Sequence, residues 1–321
     1  MTDLDPDQLC GRLSQLRITG LRPLTGGASS LTYIAQAAGQ PVVVKVAPAG
    51  LPPTGHRDVL RQCRVIKALR PTAVPVPEVV WEDAGRPPEE PPLFVMSLVV
   101  GSSFEPLFDF DRAERNDVVA ERFSNATAVM AALHRIEPAA VGLGTEPVID
   151  TYAEIQRWCK TLDTVDPTLV PGWRQVATAL QTSVPAPAPA AIVHGDFRLG
   201  NLLAVDDRIS GVIDWEIWSV GDPRADVGWF LINSDPQTYR RVTPYTGKTP
   251  HPDELAATYQ AAVGRSVPDL GWFQALACFK SAATWSLIVK HNRRRRRPDP
   301  DLEAMSEVLA HLLSRARLLL G

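Results

Sequence analysis

The chain has 321 residues, 45% of them hydrophobic and 21% charged, and a formal net charge of −3 at pH 7. This composition is typical of a globular protein long enough for two lobes, and the small negative charge argues against a nucleic-acid partner. The four cysteines lie far apart without metal-ligand spacing. The first residues show no apolar secretion signal, and no apolar run approaches the ~18 residues of a membrane span. We therefore expect a cytoplasmic protein with no membrane partner.

The first 100 residues predict a small sheet with one helix. Four runs read as strands because they are short, apolar or alternating, and bounded by turn residues: 31–36, 41–47, 76–83 and 92–100. The letters AAGQ predict a hairpin turn between the first two runs. Residues 56–70, HRDVLRQCRVIKALR, place apolar side chains at helical spacing and end before Pro71, as a helix does.

After Gly101 the pattern is mainly helical, with strand-like runs near residue 200. Helical spacing covers three stretches: 114–136, 150–182 (interrupted at Pro167 and Pro171) and 235–321. The strand-like runs are IVHGDFRLGNLL (192–203) and RISGVIDW (208–215).

IVHGDFRLGNLL encloses polar residues between apolar ends, and a buried carboxylate there needs a compensating partner. The following segment predicts a hairpin with its turn near Asp207 and Arg208. A two-residue loop places Asn201 opposite Asp214, and Asp196 precedes the first strand, so three oxygen-bearing side chains converge. Hard oxygen ligands of this kind suit Mg²⁺. The alternative is that Asn201 and Asp214 only cap turns.

Three motifs carry a resemblance to a known family: HGDFRLGN at 194–201, VIDWE at 212–216 and GDPRAD at 221–226. Together they resemble the signature of the aminoglycoside phosphotransferase and choline kinase-like superfamily, small-molecule relatives of the protein kinases. The string is most similar to the branch found as a kinase-like domain attached to some acyl-CoA dehydrogenases. The resemblance covers nearly the whole chain.

This resemblance implies an α+β, two-lobed, protein-kinase-like fold. The N-lobe, residues 1–98, would contain a small antiparallel sheet and one main helix that bind nucleotide, with a hinge near 94–100. The C-lobe, residues 99–321, would be mostly helical and carry the catalytic loop 194–201 and the C-terminal acceptor-binding helices. The activity implied is that of a kinase that uses ATP, with GTP as an alternative, and Mg²⁺.

The resemblance also implies roles for the polar residues of the motifs. Asp196 would be the catalytic base, within hydrogen-bond reach of the attacking hydroxyl. Asn201 and Asp214 would bind Mg²⁺. Arg198 stands where protein kinases commonly have a lysine that meets the γ-phosphate, and a structural salt bridge is the alternative.

Five further residues near the motifs are expected to support the site or line it. The resemblance implies that Asp222 and Asp226 hold the loop and helix behind the site. His194 is interpreted as a structural hydrogen-bonding residue. Trp215 and Trp218 are candidates for the lining of the acceptor pocket.

The nucleotide site is expected in the first lobe. Its predicted residues are Gly26, Gly27, Ser29, Ser30, Lys45, Gln62, Phe94, Met96 and Leu98. The glycines let the backbone approach phosphate, and the serines and backbone N–H groups donate to it. The lysine resembles the one that pairs the α- and β-phosphates, and the last three residues belong to a hinge strand expected against the adenine.

One residue departs from the family pattern. The lysine is normally held by a glutamate on the first-lobe helix, but the aligned text RQCRVIKAL has Gln62 there. Glutamine can accept a hydrogen bond from Lys45 without adding charge, and Asp58, one turn earlier, is a possible substitute. The departure supports a rival interpretation, a non-catalytic kinase-fold protein that binds a ligand.

The acceptor is expected to be a small molecule, because only a few residues separate Asp214 from the next helix and no activation segment is visible. Over 235–297 there are eleven Arg and Lys against four Asp and Glu. This balance favours a neutral or anionic acceptor, such as a hydroxyacyl-CoA or a hydroxy acid, over a polycationic aminoglycoside. An antibiotic phosphotransferase is the alternative.

Five of those charges form the run Arg293–Arg297 just before Pro298. A solvated helix end is the ordinary interpretation of such a run. The functional alternative is that it binds anionic groups of the acceptor. Nucleic-acid binding is a weaker third interpretation, because no aromatic residues interleave the charges.

Overall fold

A five-stranded antiparallel sheet lies in the first third of the chain; the computed structural model describes residues 6–24, 30–109 and 114–321. The strand order is β1-β2-β3-β5-β4. The bounds are Ile18–Pro23 (β1), Leu31–Ala37 (β2), Gln40–Val46 (β3), Val79–Asp83 (β4) and Leu93–Ser97 (β5). The predicted turn between β2 and β3 is confirmed: Ala38 and Gly39 have φ angles of 48° and 83°, as a two-residue hairpin turn requires.

Helices cover both faces of this sheet. The helix α1 (Pro6–Arg12) buries Leu9 against one face. The helix α2 (Val59–Leu69) buries Cys63 and Ile66 against the other. Side chains alternate along β3, so every second one points toward α2. Lys45 of β3 is one of these, and its side chain reaches Gln62 on that helix.

The rest of the chain is mostly helical, as predicted. The helices are Asn116–His134 (α3), Thr151–Leu162 (α4), Trp173–Thr182 (α5), Arg224–Ser234 (α6), Pro252–Val263 (α7), Leu270–Arg293 (α8), Pro300–Ala304 (α9) and Leu309–Leu320 (α10). Pro167 and Pro171 fall between α4 and α5 and keep them separate. The helices α6 and α8 pack closely where Gly228 meets the backbone of Phe273. Only a residue without a Cβ fits there, because a Cβ at Gly228 would lie 2.5 Å from that backbone.

Two short sheets surround the polar motifs. Their strands are Val148–Ile149 (β6), Ala191–Val193 (β7), Leu202–Val205 (β8), Arg208–Val212 (β9) and Ser219–Gly221 (β10). Strand β10 pairs with β6 in parallel and with β7 antiparallel, while β8 and β9 form a hairpin.

The β8–β9 hairpin turns one residue earlier than predicted. Its turn consists of Asp206 and Asp207, and Asp206 adopts a positive φ of 52°, which aspartate tolerates. This turn alone would offset the predicted pairing by two residues, and a register shift between Leu203 and Ala204 reduces the offset to one. The N–H of Ile213 therefore donates to the carbonyl of Asn201 at 3.0 Å, and Asp214 lies one residue beyond the predicted pairing.

Residues 235–251 are not helical, so the prediction of continuous helix from residue 235 is wrong there. The segment contains Pro236, Pro244, Pro250 and Gly247, which interrupt helical hydrogen bonding. The helix α7 begins directly after it. In the described ranges, no helix is long and apolar enough to cross a membrane.

Candidate active site

One buried carboxylate holds the backbone of the catalytic-loop motif where β7 ends. Asp226 on α6 accepts the N–H groups of His194 and Gly195 at 2.7 and 2.8 Å, and Nε2 of His134 lies 3.2 Å from it. Burial acts to raise the pKa of Asp226, but its hydrogen bonds outweigh burial and hold that pKa below its usual range. Gly195 has a φ of 86°, and a Cβ there would lie 2.7 Å from the carbonyl of Ile217, so only glycine fits.

His194 is fully buried and links this loop to the end of β9. Its Nδ1 accepts the N–H of Asp196 at 3.2 Å, which leaves the proton on Nε2 to donate to the carbonyl of Ile213 at 2.9 Å. The side chain is therefore structural, and it ties Asp196 to the residue before Asp214.

Three donors surround the carboxylate of Asp196. Its Oδ2 accepts a hydrogen bond from Nδ2 of Asn201 at 2.7 Å, and its Oδ1 accepts one from Nε1 of Trp229, also at 2.7 Å. Nε of Arg198 lies 3.3 Å from Oδ1. These contacts hold the carboxylate in one orientation between the hairpin and α6.

A cleft between the sheet and the β8–β9 hairpin encloses about 320 Å³. Six of the predicted site residues line it: Ser30, Lys45, Met96, Leu98, Asn201 and Asp214. Nζ of Lys45 donates to Oε1 of Gln62 at 3.0 Å and lies 3.2 Å from Oδ1 of Asp214. The predicted residues Gly26, Gly27 and Ser29 lie outside the described part of the chain.

Four side chains lie elsewhere than predicted. Phe94 is fully buried in the core under α2, whereas Met96, two residues further along β5, lines the cleft. Asp58 caps α2 by accepting the N–H of Arg61 at 2.9 Å and is thus not a partner of the cleft lysine. Trp215 and Trp218 are each 1% exposed and pack in the core, so neither lines a pocket.

The helix α2 is tied to the helical lobe by Arg61, the neighbour of Gln62. The Arg61 guanidinium donates to the carbonyl of Trp218 at 2.7 Å, lies 4.0 Å over its ring and pairs with Glu146 at 3.1 Å. The Trp218 indole donates back to the carbonyl of Arg61 at 3.1 Å. These contacts hold Gln62 beside the cleft lysine without an ion pair between the two.

The oxygen atoms of Asn201 and Asp214 fit the predicted magnesium site. Nδ2 of Asn201 donates to both the carbonyl and the carboxylate of Asp196, which leaves Oδ1 for a ligand. Oδ2 of Asp214 accepts no hydrogen bond from any described residue, and this side chain is 41% exposed. One amide and one carboxylate oxygen suit Mg²⁺, which takes its other ligands from water and phosphate. The described residues contain no cluster of three or more His, Cys, Asp or Glu suited to a metal.

A second cavity, of about 60 Å³, is enclosed by α4, α6, α8 and the short strands. Trp229 and Lys280 line it together with mostly apolar residues. Nζ of Lys280 donates to the carbonyl of Gly195 and lies 4.1 Å from the centre of a Trp229 ring. Because Trp229 also donates to Asp196, that carboxylate is hydrogen-bonded to one residue of the cleft and one of the second cavity.

Arg198 bridges two carboxylates. Its Nη1 lies 3.4 Å from Oε2 of Glu105, which also accepts the N–H of Gly200 at 3.1 Å, and its Nε faces Asp196. Burial raises the pKa of Glu105 to about 7, although the guanidinium and the Gly200 N–H act in the opposite direction. These contacts match the structural salt bridge named as the alternative role of Arg198, and they also hold its guanidinium beside Asp196.

The run Arg293–Arg297 begins at the last residue of α8, and all five of its residues are exposed to solvent. Arg293 pairs with Glu303 at 2.6 Å, and none of the five arginines lines the cleft or the second cavity. Thirteen residues of helix, roughly 20 Å, separate Arg293 from Lys280. The run is therefore a solvated helix end.

Comparison with known proteins agrees with this geometry. A family model described as "Phosphotransferase enzyme family" matches residues 20–276, most of the chain. The chain belongs to the phosphotransferase enzyme family. The prediction of an enzyme of this class is thereby confirmed, as is the resemblance on which it depended.

Individual relatives of this phosphotransferase agree with the resemblance. Acyl-CoA dehydrogenase family member 11 of Gallus gallus is 28% identical over 295 residues, which cover 86% of the chain and 36% of that protein. The chain thus spans only about a third of that relative's length. A structure of a presumed aminoglycoside phosphotransferase from Ralstonia eutropha has a TM-score of 0.80 at 20% identity and covers 99% of this chain and 98% of its own.

A thermostable mutant of aminoglycoside phosphotransferase APH(4)-Ia, solved as a ternary complex with ADP and hygromycin B, has a TM-score of 0.63 at 15% identity. The superposition covers 95% of this chain and 97% of that one. Together with the Ralstonia eutropha structure, it confirms the two-lobed, protein-kinase-like α+β fold predicted for the phosphotransferase.

Four residues of the phosphotransferase site were not singled out by the sequence: Arg61, Glu105, Trp229 and Lys280. Each of them contacts a site residue or its neighbour that is distant in the sequence, so no local sequence pattern predicts the contact. The available signals were weak. Trp229 follows the GDPRAD motif closely, and Lys280 is a lone charge inside an otherwise apolar helical stretch.

Proposed function

We propose that this phosphotransferase moves the γ-phosphate of ATP, with Mg²⁺, to a hydroxyl of a small neutral or anionic metabolite. The observation that carries the proposal is the position of Asp196, hydrogen-bonded on one side to Asn201 of the cleft and on the other to Trp229 of the second cavity. A base in this position can meet a hydroxyl entering from the second cavity while the nucleotide occupies the cleft.

The cleft supplies what a nucleotide and its metal need. Lys45 would pair with the phosphates, and the free oxygens of Asn201 and Asp214 would bind Mg²⁺. When bound, Mg²⁺ neutralises charge on the phosphate oxygens. Met96 and Leu98 line the part of the cleft proposed for the base of the nucleotide. The relative solved with ADP gives outside support for a nucleotide in this fold.

The proposed reaction requires one proton transfer at Asp196. The acceptor oxygen forms a bond to the γ-phosphorus as the bond from that phosphorus to the ADP oxygen breaks, and the hydroxyl proton passes to the Asp196 carboxylate. Trp229 and Asn201 orient this carboxylate, since each donates to one of its oxygens. Arg198, held between Asp196 and Glu105, is proposed to meet the γ-phosphate.

The acceptor is proposed to be a hydroxyacyl-CoA or a hydroxy acid rather than an aminoglycoside. The second cavity is small, and the Lys280 ammonium in it forms no ion pair with a described residue, so a cationic amino group placed beside that lysine would be repelled. The rival hypothesis of a non-catalytic protein depends on Gln62. That residue still accepts a hydrogen bond from Lys45, so the lysine is positioned without the usual glutamate.

The test is transfer of label from γ-labelled ATP, and separately GTP, to 4-hydroxybutyrate, 4-hydroxybutyryl-CoA and hygromycin B. We expect Asp196→Asn to lower transfer to the accepted substrate by about 100-fold or more, because a positioned base contributes about 10²–10⁴-fold. Unchanged melting and unchanged binding of Mg·ATP are the control for folding. Transfer within threefold of wild type in the variant would contradict the role of Asp196, and transfer to hygromycin B alone would assign the enzyme to the antibiotic phosphotransferases.

A further inference from the structure

Lys280 is a partly buried cation without an ion-pair partner among the described residues. Its Nζ donates to the carbonyl of Gly195 and lies 4.1 Å from a Trp229 ring centre, and among the described residues no carboxylate forms an ion pair with it. Burial lowers the pKa of Lys280, although the charges of Asp196, Glu154 and Asp226 act in the opposite direction. Two of the three N–H groups of the ammonium are thus available to a ligand.

The carboxylates that share the second cavity already have partners. Asp222 pairs with Arg224 at 2.7 Å, and Glu154 accepts the indole N–H of Trp158 at 2.8 Å. Asp150 caps α4 by accepting a backbone N–H. None of these carboxylates forms an ion pair with Lys280, so among the described residues its ammonium has no ion-pair partner within the cavity.

The size and lining of the cavity limit what can occupy it. Its 60 Å³ compares with the roughly 10–15 Å³ that one water requires by the same measure. Its remaining wall is mostly apolar, from residues such as Phe273, Leu276 and Ala277 on α8. A short carbon chain that ends in one charged group fits this space and lining.

We propose that Lys280 binds the carboxylate of a short hydroxy acid whose hydroxyl is presented to Asp196. This deepens the proposed function and rests on it, because the hydroxyl is the one that would be phosphorylated. Trp229 connects the two ends: its ring faces the Lys280 ammonium, and its Nε1 donates to Asp196. Carboxylate and hydroxyl are therefore separated by about the width of an indole, which corresponds to a chain of a few carbons.

The test is calorimetric binding of lactate, 3-hydroxybutyrate and 4-hydroxybutyrate, each compared with its uncharged amide of the same shape. We expect wild-type protein to bind at least one acid ten or more times as tightly as its amide. Lys280→Met should reduce that preference to within twofold. Arg157→Met is the matched control, because Arg157 also lines the cavity but is half exposed and lies 3.8 Å from Glu154; this variant should keep the preference.

Three outcomes would overturn the proposal: equal affinity for acid and amide in wild type, no binding of any acid, or equal loss of both ligands in Lys280→Met. The last would assign Lys280 to holding the Gly195 carbonyl, and Lys280→Arg, which keeps the charge, should then behave like Lys280→Met instead of keeping the preference. Binding requires no turnover. If acids bind through Lys280 but no phosphate is transferred, the proposed function fails while this subsite stands.

Discussion

The two lysines on either side of Asp196 are held in opposite ways. Lys45 in the cleft lies 3.2 Å from the carboxylate of Asp214 and donates to Gln62. Lys280 in the second cavity has a backbone carbonyl and an indole face as its neighbours. The charge of Lys45 is thus paired with a carboxylate of the chain, whereas Lys280 forms no ion pair with any described residue.

The difference suggests that nucleotide and acceptor are recognised by different means. Arg198 is held in the same way as Lys45, since its guanidinium lies between the carboxylates of Asp196 and the buried Glu105. A cleft with paired charges keeps its geometry before any ligand arrives. An ammonium without an ion-pair partner favours a ligand group of opposite charge at its position.

The largest expected effect on activity comes from breaking the ion pair between Lys45 and Asp214 in the cleft. Lys45→Met keeps an unbranched side chain one atom shorter but removes the charge that pairs with Asp214 and, by the proposal, with phosphate. We expect kcat/KM for ATP to fall about 100-fold, the order found when one charge-stabilising donor is removed. Steady-state kinetics with saturating acceptor measure it.

The matched control is substitution of Lys280, the lysine of the second cavity. In Lys280→Met the dissociation constant of Mg·ATP, measured by calorimetry, should stay within twofold of wild type. Comparable loss of nucleotide affinity in both variants would contradict the separation of the two sides.

A smaller effect, on stability, is expected from Glu105. Burial raises the pKa of this carboxyl to about 7. Between pH 4.5 and 7 the unfolded chain releases this proton while the folded chain retains it, so the stability that the group contributes declines as pH rises. The whole decline amounts to about 3 kcal/mol, at roughly 1.4 kcal/mol per pKa unit. Glu105→Gln has no such proton, and its free energy of unfolding should lack this decline.

Urea unfolding of both proteins at half-unit steps from pH 5 to 8 measures this difference. The stability of wild type relative to Glu105→Gln should fall up to about pH 7 and be level above it. Parallel pH profiles would show that the carboxylate is ionised throughout, which would place Glu105 and Arg198 in a permanent ion pair.

Much of the site was predictable because its motifs are local. Asp196, Asn201 and Asp214 lie within 19 residues, and the hairpin that joins them is visible as two apolar runs. Its register was wrong by one residue because a turn at Asp206 and a register shift leave no mark in the hydrophobic pattern. Lys45 and its strand were predictable for the same reason of locality.

Long-range contacts were beyond the sequence. Arg61 meets Trp218 and Glu146 across the two lobes, and Lys280 meets Gly195 across 85 positions. Contacts of this kind are determined by how the helices pack, which no local sequence pattern specifies. The prediction that Phe94 lies against the adenine is wrong for a related reason. Strand alternation predicts which face of the sheet Phe94 is on, but not that α2 covers this part of that face.

Thermal unfolding tests most directly whether Asp214 helps the cleft to bind nucleotide together with Mg²⁺. Wild type and Asp214→Asn should be melted with and without millimolar ATP, each with and without Mg²⁺. A ligand at 100 times its dissociation constant stabilises by about 2.7 kcal/mol, so we expect wild type to gain a few degrees with ATP and Mg²⁺ together, and the variant to gain little. No gain in folded wild type, or an equal gain in Asp214→Asn, would contradict the account.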